Sequence, residues 1–225
     1  MNPTLQIRLF TNDQFVLDKV FYANAYKLAT LPKDSVVFDI GAHIGFFATN
    51  CAVRGAATIY CFEPNGENFE CLLRNTSFIR DGIVAIKSAV LFDHSFVAFE
   101  APEITEDKFF DFASVNMAGE DSVAKEVSLC MSLDTALLNY GEKEVHLLKI
   151  NLGGTYEPDV LVNSKLISKC NAVCGMTKTD DTASLDKLFA HMKENGFSNS
   201  SLVDTGEDKE FLFVFTKDCA KGYFQ

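Results

Sequence analysis

The sequence contains no apolar run approaching the roughly 18 residues that a membrane-spanning helix needs, so insertion into a bilayer is not expected. Its first residues, MNPTLQIRLFTNDQF, lack a charged head followed by an apolar core and do not read as a secretion signal. Positive charge is also scarce, with 20 lysines and arginines against 31 aspartates and glutamates, for a net charge of -11. Nucleic acids and anionic membranes are bound largely through lysine and arginine, so neither is expected as a partner. These absences together point to a cytoplasmic protein. The cysteines, at 51, 61, 71, 130, 170, 174 and 219, are odd in number and scattered through apolar segments, as reduced core thiols are. Cys170 and Cys174 lack a second pair or nearby histidines, so they read as buried structural thiols, and no metal is expected.

What is present suits one large α/β unit. A chain of 225 residues with 48% hydrophobic content and 21 phenylalanines has enough apolar material for a sizeable core. Residues 36–65 read VVFDIGAHIGFFATNCAVRGAATIYCFEPN: an apolar run, a glycine turn, a short amphipathic segment and a second apolar run ending in an acid. Val36, Val37 and Phe38 suit a strand buried on both faces. Gly41 and Gly45 then allow positive φ and close approach of backbone to a ligand. A dinucleotide fingerprint would need another glycine where this chain has His43, so a pyrophosphate would meet a side chain there. Asp39 before the turn would repel a phosphate but suit an ammonium. Glu63 lies 22 positions beyond Gly41, near the offset of about 20 at which a carboxylate takes ribose hydroxyls in such folds. An acid, a glycine turn and a ribose-binding acid describe a site for S-adenosylmethionine better than one for NAD.

The segments DIGAHIGFF and CFEP, with Asn75 in an L-x-x-N pattern, resemble the FkbM family of S-adenosylmethionine-dependent methyltransferases, where the turn reads D-I-G-A-N-I-G-F. The resemblance spans about residues 35–161 and departs at His43, which stands for the family's asparagine. It implies a class I methyltransferase (Rossmann-like) three-layer sandwich, with a mostly parallel seven-stranded sheet in order 3-2-1-4-5-7-6 and an antiparallel terminal strand. It also implies a cofactor site of Asp39, Gly41, His43, Gly45 and Glu63, with Ser88 and Ala89 at the adenine, and a small-molecule or glycan hydroxyl as acceptor.

Along the rest of the chain, residues 6–17 read as a hairpin and 21–28 as a helix, together a cap of residues 1–34 on a methyltransferase domain of 35–225. Residues 66–76 read as a helix with Phe69, Leu72 and Leu73 inward. Strands are expected at 84–89, 96–100, 127–133 and 172–176, a helix at 183–195 closed by Gly196, and a terminal hairpin across residues 206–208. Residues 101–111 read as an acidic loop, and Ser114 and Asn116 follow it.

The second diagnostic stretch, VHLLKINLGGTYE at 145–157, corresponds to the family's K-I-D-x-E-G-x-E at the end of the central strand. Lys149, Ile150 and Gly154 are kept, Asn151 and Gly153 replace two acids, and Glu157 falls one position late. An amide orients a hydroxyl but does not accept its proton. Lys149 and Asn151 are therefore expected beside the acceptor, with Glu157 or His43 as the base. A fold that binds cofactor without catalysis stays open beside this reading, and so does an NAD-dependent oxidoreductase.

Overall fold

In the computed structural model the described residues are 5–9, 11–79, 82–91, 96–99, 126–141, 144–154, 156–206 and 209–225. The chain opens with α1 (Asp13–Leu17), which runs directly into a π-helical turn at Asp18–Tyr22. Then follow β1 (Ser35–Ile40), α2 (Phe46–Val53), β2 (Ala56–Phe62), α3 (Gly66–Thr76) and β3 (Ile83–Ile86). Three short strands, β4 (Ala89–Leu91), β5 (Phe96–Phe99) and β6 (Glu126–Ser132), lead to α4 (Leu133–Tyr140), whose first turn is capped by Ser132. The last part holds β7 (Val145–Ile150), α5 (Glu157–Val162), β8 (Cys170–Lys178), α6 (Thr182–Glu194), β9 (Asn199–Asp204) and β10 (Glu210–Thr216).

Seven strands form one sheet in the order β3-β2-β1-β7-β8-β10-β9, the order expected from the sequence. The β3-β2-β1-β7-β8 pairs are parallel and β10 is antiparallel to both neighbours. Side chains alternate across each strand, and this splits the interior into two cores. Phe38, Ile40, Leu148, Ile150 and Val173 pack with α4, α5 and α6 on one face. Val37, Leu147, Ala172 and Leu212 pack with α2, α3 and the N-terminal segment on the other. The result is helix, sheet, helix in three layers.

Four local expectations are corrected. In place of the hairpin at 6–17 the chain is helical from Asp13 onward, because Val16 and Val20, four apart, both turn onto the second core, an i,i+4 demand that alternating strand residues do not meet. The expected helix at 21–28 does not extend past the π-helical turn that ends at Tyr22: the chain turns through Asn24 and Lys27, both at positive φ, and Leu28 bridges to Phe224. The expected strand at 84–89 divides, with β3 on the large sheet and β4 in a separate sheet of order β4-β6-β5. In α3 the buried residues are Asn68, Cys71, Leu72, Asn75 and Thr76, while Leu73 lies 42% exposed. The loop at 101–111 and Ser114 and Asn116 lie outside the described residues.

Candidate functional site

The site forms where β1 and β7 end side by side. Their register places Asp39 opposite Lys149, on the same face of the sheet as Val37 and Leu147. Both side chains are buried, with Lys149 Nζ 3.0 Å from Asp39 Oδ1. The ammonium also donates to the carbonyls of Gly41 at 2.6 Å and Ile40 at 3.3 Å and lies 5.8 Å from the centre of the Phe47 ring. Burial works to lower the Lys149 pKa, but the Asp39 carboxylate outweighs it and holds the ammonium above its usual range. The ammonium that the acid suits is thus the chain's own.

The turn after β1 is set by close backbone packing. Gly41 and Ala42 both donate to the carbonyl of Phe62, joining the turn to the end of β2. Gly41 has φ +72°, and a Cβ there would stand 1.9 Å from the carbonyl oxygen of Asn151. His43 also has a left-handed backbone, φ +53°, a conformation that Asn, Asp and His tolerate better than most residues. That accounts for histidine at the place where the resembling family has asparagine. Gly45, at φ +90°, heads α2 against Leu72 and Thr76. Asn75, quoted above for its L-x-x-N pattern, donates to the carbonyls of Ile44 and Gln6 and accepts from the Gln6 N–H, fastening turn and N-terminal segment together.

His43 is 7% exposed, and neither ring nitrogen has a hydrogen-bond partner among the described residues. Its Nε2 stands 3.4 Å from Asp13 Oδ1. Burial pushes its pKa down to about 4 against the pull of Asp13, so the ring is neutral. Asp13 takes three hydrogen bonds from Arg8, through the backbone N–H, Nε and Nη2. Burial works to raise the Asp13 pKa, but these bonds prevail and keep it below its ordinary value.

Glu63 faces the turn from the end of β2. Its Oε2 accepts from the His43 N–H at 2.8 Å, and its Oε1 accepts from the Asn65 N–H and the Asn68 side chain. Burial raises its pKa to about 7 despite these bonds. Glu157, the first residue of α5, is fully buried: one oxygen accepts from the Leu152 N–H at 2.7 Å and the other has no partner among the described residues. Burial raises it to about 7 as well.

These two carboxyls give a pH prediction. Their folded pKa values lie above the unfolded range, so their contribution to stability is full below about pH 4.5 and is lost as pH rises through 7. The depressed His43 acts in the opposite sense between about pH 4 and 6.5. The net expectation is a fall in unfolding free energy of roughly 3 kcal/mol from pH 5 to pH 8. Urea midpoints at the two pH values measure it, and a higher midpoint at pH 8 would contradict the assignment.

Val16, Val20, Tyr26, Gly41, Ala42, His43, Phe46, Phe47, Lys149 and Asn151 line a small cleft open to solvent, with a cavity volume of about 60 Å³. Asn151 donates to the Tyr26 hydroxyl at 3.0 Å and accepts from the Gly153 N–H, which fixes its amide. Of the residues expected from the sequence, Gly41, His43, Lys149 and Asn151 line this cleft, and Asp39 and Glu63 each bind one of its walls. Ser88 and Ala89 lie apart from it, and the Ser88 hydroxyl is bonded to the carbonyls of Ala89 and Leu129. Glu157 does not line the cleft, which corrects its expected part as the base: its carboxylate is committed to the Leu152 N–H. Sequence reading missed Arg8, Asp13 and Tyr26, because the helical N-terminal segment that carries Asp13 was read as a hairpin.

No protein-family model matches the chain, and no curated protein matches it in sequence. Solved structures match in fold. An rRNA methylase from Streptococcus thermophilus superposes with a TM-score of 0.54 at 11% identity, covering 88% of this chain and 95% of its own. TrmK of M. capricolum, solved with S-adenosylhomocysteine, gives 0.52 at 12% identity, covering 88% of this chain and 68% of its own. The first of these corrects the reading that set nucleic acid aside as a partner: this architecture serves an RNA methylase, so an acidic net charge is no ground for that exclusion. At these identities the likeness establishes the architecture, and the chain has the class I methyltransferase fold.

Proposed function

We propose that this chain binds S-adenosylmethionine at the turn of residues 41–45 and transfers its methyl group to an acceptor oxygen, in the manner that the FkbM-like motifs suggest. The observation that carries the proposal is the cleft at the ends of β1 and β7, where a glycine turn, a buried ion pair and a neutral imidazole without a hydrogen bond among the described residues meet. The residues fit the cofactor. Gly41 has no room for a side chain, and Glu63 uses three acceptor positions of about four, leaving one for a ribose hydroxyl. The neighbour solved with S-adenosylhomocysteine supports the same reading.

When bound, S-adenosylmethionine supplies an electrophilic methyl on a positively charged sulfur. The chain's own residues then hold the partners in line, which by itself removes much of the barrier. Asp39, Gly41, Gly45 and Glu63 shape the cofactor side, with Ser88 and Ala89 following β3 toward the adenine. Asn151, held by Tyr26 and Gly153, orients the acceptor, and Lys149 and Phe47 close the floor. His43 accepts the acceptor's proton in its neutral form, and the Asp13 carboxylate stabilises the imidazolium that results. Residues 1–34 act as the cap of a single domain of 35–225, and Val16, Val20 and Tyr26 are its contribution to the cleft.

Calorimetry with S-adenosylhomocysteine up to millimolar concentration tests the cofactor, and absence of binding would sink the proposal. Transfer of a labelled methyl, with RNA and metabolite fractions as separate arms, tests the chemistry. His43→Asn keeps a residue that tolerates the backbone but removes the base, so transfer is expected to fall about a hundredfold with S-adenosylhomocysteine binding little changed. Equal rates in the variant would discard His43 as the base. The internal hydrogen bonds of the Asn151 amide, and the bond from the Leu152 N–H that holds one Glu157 oxygen, favour a second reading, a binding module without catalysis. Tight cofactor binding with no transfer in any arm is its signature.

A further inference from the structure

A buried carboxylate flanked by two backbone carbonyls is a cradle for an ammonium group: it offers one negative charge and three acceptors, matching the three donors of a primary ammonium. This chain builds such a cradle from Asp39 Oδ1 and the carbonyls of Ile40 and Gly41, beside the proposed cofactor turn. The amino acid end of S-adenosylmethionine carries a primary ammonium of the same kind. Lys149 already fills the cradle, with Nζ at 3.0, 3.3 and 2.6 Å from those three oxygens. Those three oxygens are taken; Asp39 Oδ2 is buried without a hydrogen-bond partner among the described residues, and two cations on one buried carboxylate would repel each other strongly.

Lys149 is also held firmly. It is 4% exposed, opposite Asp39 in the strand register, and lies against the Phe47 ring. Moving it out would leave the Asp39 charge buried without its cation until a ligand replaced it.

We propose that Lys149 serves as a built-in ammonium, so that this chain recognises an adenosyl thioether or sulfonium without using the ligand's α-amino group. The inference rests on the cofactor reading above. The ligand class it defines is an adenosyl sulfur compound whose side chain need carry only a carboxylate. That end of the ligand meets a wall formed by Lys149, His43 and Asn151, none of which is a free carboxylate.

The test compares two ligands by calorimetry, S-adenosylhomocysteine and the analogue in which hydrogen replaces its α-amino group. Wild type is expected to bind both within about threefold, equivalent to less than 1 kcal/mol. The variant Lys149→Met vacates the cradle and is expected to prefer the amino-bearing ligand by about tenfold or more, with the same preference in ligand-induced thermal shifts. The wild-type comparison stands by itself should the variant fold poorly. A preference of about tenfold or more for the amino-bearing ligand in wild type would overturn the inference while leaving the cofactor reading intact. Failure of wild type to bind either ligand overturns the cofactor reading and this inference with it.

Discussion

Gly41→Ala is expected to destabilise the protein by about 3 kcal/mol or more and to abolish ligand binding at the turn. The added Cβ would lie 1.9 Å from the carbonyl oxygen of Asn151. That atom is backbone, held by the Asn151 N–H bond to the carbonyl of Ile40 at 3.1 Å, so it has no flexible end to swing aside. Relief requires β1 and β7 to separate where the site is assembled. The φ of +72° adds its own cost for a residue with a side chain. Gly206→Ala serves as the control: it shares a positive φ of +78° but has nothing among the described residues within 4 Å of the added atom, so only the conformational term of about 1 kcal/mol applies. Thermal unfolding should separate them, with a drop of roughly 6–12 °C or more at position 41 and only a few degrees at position 206. Equal small shifts would show that the turn yields, and that the close approach of the two strand ends is not what demands glycine.

The sheet was legible because its information is local and repeated. Each central strand reads as an apolar run, the runs are set apart by turns and helix-length segments, and parallel connections of that kind leave few arrangements. The terminal hairpin and the C-cap at Gly196 carried their own turn residues. The N-terminal segment was not legible in the same way. Thr11, Asn12 and Asp13 are turn formers by type, yet the segment is helical because Val16 and Val20 find a core supplied by residues far along the chain. The cap's part in the site was lost with it: Asp13 faces His43 only once residues 11–20 lie against α2 and α3. Lys149 is a different case. Its partner was readable in principle, since VVFDI and HLLKI each place one ionisable residue just before the final isoleucine of a buried parallel strand. When β1 and β7 align, the two residues fall opposite each other and must pair, because neither charge could be buried alone. Treating Lys149 as a neighbour of the acceptor overlooked this constraint. The burial of Glu157 was not readable, because the carboxylate satisfies the Leu152 N–H, a group that only the folded chain brings to it.

That pairing carries a large expected effect on stability. Lys149→Met keeps the length and apolar stem of the side chain but removes the cation, leaving Asp39 buried with no counter-charge. Breaking a buried pair from one side costs about 3–5 kcal/mol, because the remaining charge keeps its desolvation penalty without its attraction. The cost should depend on pH in a definite direction. An unpaired buried carboxyl has a folded pKa above its unfolded value, so its unfavourable effect is absent at low pH and grows as pH rises through the folded pKa. The gap between wild type and Lys149→Met is therefore expected to be small near pH 4 and to widen toward pH 8, as read from urea midpoints. Asp39→Asn in the same background removes the stranded charge, and the double variant should recover much of the loss at pH 8 while changing little at pH 4. Additive losses in the double variant, or a gap that narrows with rising pH, would mean that Lys149 acts through its contacts with the carbonyls of Ile40 and Gly41 and the ring of Phe47, and that its charge is incidental. Recovery in the double variant would instead establish that the ion pair, placed by strand register beneath the turn, sets the electrostatics of the whole cleft.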